Sequence, residues 1–159
     1  MKLSNKEKAD FFKRCFTAVD GLWFVKTEEK YGFEKALKID QEVWKVMPKI
    51  QARELKKLTG MDSGLEALLT CLSLKLDLEG YQYSIEKNSA EKCFSVIISQ
   101  CPWHKLMVDS NRGHLSARVG SSICSNEFPL WASEFKVKLR FALKEQLCQG
   151  APACMMTFY

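Results

Sequence analysis

The spacing of apolar residues changes period along this chain, and that change limits what the chain can fold into. Ser4-Asn5-Lys6-Glu7 has the form of a capping box, and Phe11, Phe12, Cys15, Phe16, Val19, Leu22 and Trp23 then recur at helical spacing. Gly32, between Tyr31 and Phe33, marks a break. A second helix is expected from about 33 to 58, carrying Ala36, Leu37, Ile39, Val43, Trp44, Val46, Met47 and Ile50, with Pro48 as a kink and Gly60 as the stop. Ser63-Gly64-Leu65-Glu66 repeats the capping pattern, and Leu65, Leu68, Leu69 and Leu72 give a third helix to about 76. Alternation then replaces helical spacing. Tyr81, Tyr83 and Ile85, a turn at Asn88-Ser89, and Phe94, Val96 and Ile98 predict a β-hairpin over 80–100.

Cys101-Pro102-Trp103-His104 ends the second strand, the stretch after it through Arg112-Gly113-His114 reads as a loop, 114–124 and 126–136 as two helices, and 137–147 with 153–159 as a last hairpin turning at Gln149-Gly150-Ala151-Pro152. The expected fold is one α+β domain over 1–159, in the order ααα-ββ-αα-ββ. Helices over 1–78 pack on an antiparallel sheet of about four strands, and 79–159 supplies both hairpins.

The last hairpin carries the first chemical signal. Val137, Leu139, Phe141, Leu143, Glu145 and Leu147 alternate with Lys138, Arg140, Lys144 and Gln146. On a half-buried strand this points Glu145 inward, where an unpaired carboxylate is costly. Cys148 follows, Cys154 begins the next strand and Cys124 lies upstream. A divalent metal shared by Glu145, Cys124, Cys148 and Cys154 would resolve the buried charge, and zinc suits such a set of S and O donors. Cys101 is the alternative fourth ligand, and an all-thiolate set would favour an iron–sulfur cluster instead. Plain core cysteines are the competing reading, since Cys is among the most buried residue types.

Composition narrows the setting. Seven cysteines are an odd number and no apolar run reaches a membrane span, so the expectation is a cytoplasmic chain with reduced thiols and no membrane association. The net charge of +5 is mild, and its Lys and Arg residues are spread along helices, which argues against nucleic acid. The many aromatic residues of the N-terminal helices suggest a homodimer.

Glu145-Gln146-Leu147-Cys148, Cys154, Cys124 and Leu130-Trp131-Ala132-Ser133-Glu134-Phe135 resemble the end of the 4-vinyl reductase-like domain, which also forms the sensor part of phenol- and xylene-responsive activators. That resemblance implies a zinc site beside a small-molecule pocket. Glu134 stands where that family usually has Gly, and the span from Cys148 to Cys154 is short. Asp20-Gly21-Leu22-Trp23-Phe24, the segment Glu28 to Leu37, Asp40 and Trp44 resemble the aminothiazoline-carboxylate hydrolase-like group, which implies hydrolysis of a cyclic amidine or thiazoline carboxylate.

Cys101-Pro102-Trp103-His104 is the second unusual cluster. Trp103, Trp131 and Trp23 could wall a partly apolar ligand pocket, with His104 and Arg112 as its polar groups. In a hydrolase, Cys101 or His104 would be nucleophile or base, His114 another partner for the thiol, and Arg112 or Arg118 the carboxylate clamp. Gly21 inside a helix suggests close packing or room for a ligand. Three readings therefore stand: a small-molecule-binding domain with structural zinc, a hydrolase, or a redox-cofactor protein.

Overall fold

The computed structural model describes residues 1–88 and 93–159. The α+β class holds. Among the described residues the order is α1 (Asn5–Tyr31), α2 (Phe33–Trp44), α3 (Met47–Thr59), α4 (Leu65–Glu79), β1 (Gln82–Asn88), β2 (Cys93–Gln100), α5 (Pro102–Asp109), α6 (Gly113–Glu134), β3 (Phe141–Glu145), a 3-10 turn (Leu147–Gln149) and β4 (Cys154–Phe158). All strand pairs are antiparallel, in the order β1-β2-β4-β3. Ser89 of the expected hairpin turn lies outside the described residues.

Contacts divide the chain into two compact units, Met1–Val43 and Trp44–Tyr159. The first consists of α1 and nearly all of α2. The capping box is formed, with the Glu7 amide donating to Ser4 Oγ at 3.2 Å and the Ser4 amide to a Glu7 carboxylate oxygen at 2.7 Å. Gly21 faces open space, so no packing contact among the described residues requires a glycine there. The second unit holds everything else, so α3 and α4 belong with the sheet.

The long second helix expected over 33–58 is two helices, broken at Lys45 and Val46. Pro48 has no amide to continue a helix but suits the first turn of a new one, where it sits at the start of α3. The loop expected after β2 is α5, with Cys101 as its N-cap and Pro102 at its first position. The two helices expected over 114–136 are one. Burial of Ile123, Phe128, Trp131 and Ala132 outweighs the hydrogen bond lost at Pro129 inside α6.

The core of the second unit lies between the sheet and α3, α4 and α6. Phe94, Val96 and Ile98 of β2 and Met156 and Phe158 of β4 meet Leu68, Leu72 and Leu76 of α4 and Phe128, Trp131 and Phe135 of α6. On the other face Ser95 and Thr157 share a cross-strand hydroxyl contact of 3.1 Å. Arg53 of α3 grips Glu134 at the end of α6 through two hydrogen bonds, of 2.8 and 2.9 Å.

A register shift between Leu143 and Glu145 overturns the inward placement of Glu145. Leu143 pairs with Met156 and Glu145 already with Met155, so the strand gains an extra residue there. One extra residue exchanges the two faces of a strand. Gln146 is consequently buried and Glu145 is exposed.

Candidate functional site

Four cysteines gather at one end of the sheet. Cys101 directly follows β2. Cys154 opens β4 opposite Ile98, near that same end of β2, on the same strand face as the buried Met156 and Phe158. Cys148 lies in the 3-10 turn that connects β3 to β4. Cys124 reaches the group from α6. Cys101, Cys124 and Cys154 all pack against the core. Cys15, Cys71 and Cys93 stand apart: Cys15 is exposed on α1, Cys71 is buried in α4 beside Thr59 Oγ1, and Cys93 begins β2.

The four thiols sense one another. Burial pushes the Cys124 thiol well up, and negative charge on Glu127, Cys101, Cys154 and Cys148 would push it further. Burial likewise raises Cys101, Cys148 and Cys154. Hydrogen bonds act the other way. The His104 amide donates to Cys101 Sγ at 3.5 Å, and the Leu147 amide to Cys154 Sγ at 3.3 Å. Ser116, nearby on α6, works against the rise in Cys148. Such donors favour thiolates.

Helix α6 organises the site along one stripe. Ser116, Gly120, Cys124, Glu127 and Trp131 recur at three- and four-residue spacing, so they share a face. Ser116 Oγ lies 2.6 Å from His104 Nδ1. Gly120 leaves room for Cys148: a Cβ there would stand 2.8 Å from its Sγ. Glu127 ion-pairs with Lys75 of α4 at 2.6 Å.

Lys75 is 2 % exposed and also pairs with Glu79, at 3.3 Å. Burial alone would lower its affinity for a proton, but the carboxylates of Glu127 and Glu79 outweigh that and hold it charged. Burial raises Glu127 against the lowering pull of Lys75, and the nearby charge of Glu79 adds to the rise. Glu79 is held further by Trp103 Nε1–H at 3.2 Å and Gln51 Nε2–H at 3.0 Å. Tyr81 joins the two parts: its ring lies under Lys75 Nζ at 5.4 Å, and its hydroxyl is near enough to Cys101 to offset a little of the rise in that thiol. A buried carboxylate beside the cysteines therefore exists, but it is Glu127 and not Glu145.

Lys75, Glu79, Tyr81, Ser116, Gly120 and Glu127 were not singled out from the sequence, although a signal was present. Lys75 and Glu79 continue the Leu68–Leu72–Leu76 side of α4, and Glu127 falls one turn after Cys124.

The other expected site residues separate. Trp23 is 72 % exposed on α1 in the first unit, and Trp131 is 0 % exposed, stacked on Phe135 as core. Trp103 meets Trp44 edge-on at 5.6 Å and is committed to Glu79. Between Cys101 and His104 the contact is made by the backbone, the His104 amide donating to Cys101 Sγ. The imidazole contacts Ser116, and the raised Cys101 thiol is the opposite of an activated nucleophile. Arg112 is half-buried at the N-cap of α6, while His114 and Arg118 are exposed. A hollow of about 320 Å³ elsewhere in the second unit is lined by Arg53, Lys56, Lys57, Gly60, Met61 and Asp62, none of them an expected ligand residue.

Among the described residues, no group of three or more His, Cys, Asp or Glu side chains is arranged to hold a metal ion as it stands, and no helix is long and apolar enough to cross a membrane. The model of a family of unknown function (DUF6125) matches residues 4–139, a stretch that includes Cys101 and Cys124 and ends before Cys148 and Cys154. No curated protein and no solved structure matches the chain.

Proposed function

The chain belongs to that family of unknown function, and we propose that it is a metal-binding domain whose centre is held by Cys101, Cys124, Cys148 and Cys154. The observation that carries this reading is the gathering of four thiols from four separate segments at one sheet end. Backbone amides donate to Cys101 and Cys154, and a glycine at position 120 leaves space for Cys148. The fourth donor is Cys101, since Glu145 faces away. Four thiolates are a complete soft set for zinc, and a closed site of that kind is structural. Binding would draw the sulfurs closer than they now stand and displace their protons. The bound ion would tie the final hairpin to α5 and α6.

The loss of Glu145 from the set also favours a second reading, an iron–sulfur cluster on the same four thiols. Metal and sulfide analysis of freshly purified protein separates the two. One zinc per chain in a colourless protein supports the first. A brown protein with iron and acid-labile sulfide supports the second. Protein that binds neither under reducing, metal-replete conditions refutes both.

The proposal extends to a cytoplasmic setting, where these thiols stay reduced, and to a homodimer formed by the N-terminal helices. Hydrolysis by a Cys101–His104 pair is not part of it, because this reading gives the Cys101 thiolate to the metal.

A further inference from the structure

Helix α1 runs for 27 residues without one buried side chain. At about 100° per residue, Phe11, Phe12, Cys15, Val19, Leu22 and Trp23 fall within an arc of about 120°. Phe11, Phe12, Val19, Leu22 and Trp23 are 59, 69, 55, 57 and 72 % exposed. Lys8 and Lys26 close the stripe at either end. We propose that this face pairs with the same face of a second copy of the chain, with the two α1 helices antiparallel. This deepens the homodimer part of the reading above and is independent of the metal.

Two features select the occupant and its direction. The five exposed apolar side chains offer on the order of 650 Å² per chain, so a pair would bury roughly 1,300 Å², within the range of specific interfaces. Charge is uneven along the helix and its leader. Lys2, Lys6, Lys8, Lys13 and Arg14 outnumber Glu7 and Asp10 before the stripe's centre, whereas Asp20, Glu28 and Glu29 outnumber Lys26 and Lys30 after it. Antiparallel pairing sets the basic half of one helix against the acidic half of the other, and parallel pairing sets like against like. With the two-fold axis near residue 17, Phe12 faces Leu22 of the second copy.

The test uses the full chain. Light scattering should give a dimer mass that falls to a monomer on dilution, and Leu22→Glu should shift the half-dissociation concentration upward at least tenfold with helicity unchanged by circular dichroism. In a Cys15→Ser background, chains carrying both F12C and L22C should form an interchain disulfide between positions 12 and 22, identified by peptide mapping. F12C alone should not link to itself. A monomer at all concentrations would overturn the homodimer reading itself. A dimer that ignores Leu22→Glu would overturn only this seam. Self-linkage of F12C would overturn its antiparallel direction, and a link from α1 to the second unit of the same chain would give the face a different occupant.

Discussion

Removing Lys75 should cost the second unit far more than removing one of its carboxylate partners. The cation stands 2.6 Å from Glu127 and 3.3 Å from Glu79, both themselves buried or nearly so. At an effective dielectric constant near 20, these separations correspond to about 6 and about 5 kcal/mol of gross attraction, which desolvation largely offsets. Lys75→Met keeps the stem packed near the rings of Tyr81 and Phe128 but strands two acids. A single stranded partner in a buried pair typically costs about 3–5 kcal/mol, so that range is expected here. Glu127→Gln leaves Lys75 matched one-to-one with Glu79, whose other oxygen keeps Gln51, and should cost less than about 2 kcal/mol. The double variant should cost less than the sum of the singles, with a coupling of about 1–3 kcal/mol. Urea unfolding followed by tryptophan fluorescence reads all three, provided the slope against denaturant stays constant. A Lys75→Met cost under about 1 kcal/mol, or a Glu127→Gln cost as large as that of Lys75→Met, would refute one cation serving two acids.

Three further outcomes follow from particular contacts. Glu145→Ala should leave thermal stability within about 0.5 kcal/mol and metal content unchanged, as for an exposed residue, and loss of metal in that variant would return the carboxylate to the site. Gly120→Ala puts a methyl group 2.8 Å from Cys148 Sγ, so it should destabilise by about 1–3 kcal/mol and weaken metal retention, measured by melting and by chelator competition. The hydrogen bonds from Arg53 hold the Glu134 carboxyl below its ordinary value of 4.5. A depressed acid stabilises the fold above that value and loses the contribution as pH falls through its folded value. Arg53→Ala should therefore flatten the pH dependence of unfolding below pH 4.5, and an unchanged profile would contradict the pairing.

The sequence revealed the class of fold because the two periodicities are clean, from the α1 stripe to the alternation of Phe94, Val96 and Ile98. What it concealed came from single residues with two meanings. Pro48 and Pro102 could read as a kink or a turn, and both open helices. Pro129 could break α6, but the apolar residues around it hold the helix together. The extra residue at Lys144–Glu145 is invisible to an alternation rule, which carries its phase straight through and so exchanges Glu145 with Gln146. Three of the four gathered thiols were recognisable from the tail of the chain. Cys101 remained an alternative because its place beside Cys154 depends on strand register, a long-range fact. The Lys75–Glu127 pair joins residues of two helices far apart in sequence and was hidden for the same reason.

The most direct test is metal stoichiometry by native mass spectrometry across a series of single Cys→Ser variants. Loss of bound metal at positions 101, 124, 148 and 154, with full retention at 15, 71 and 93, is the result expected of one shared four-thiolate centre. Retention in Cys101→Ser or Cys124→Ser, or metal that depends on Cys71 or Cys93, would contradict it.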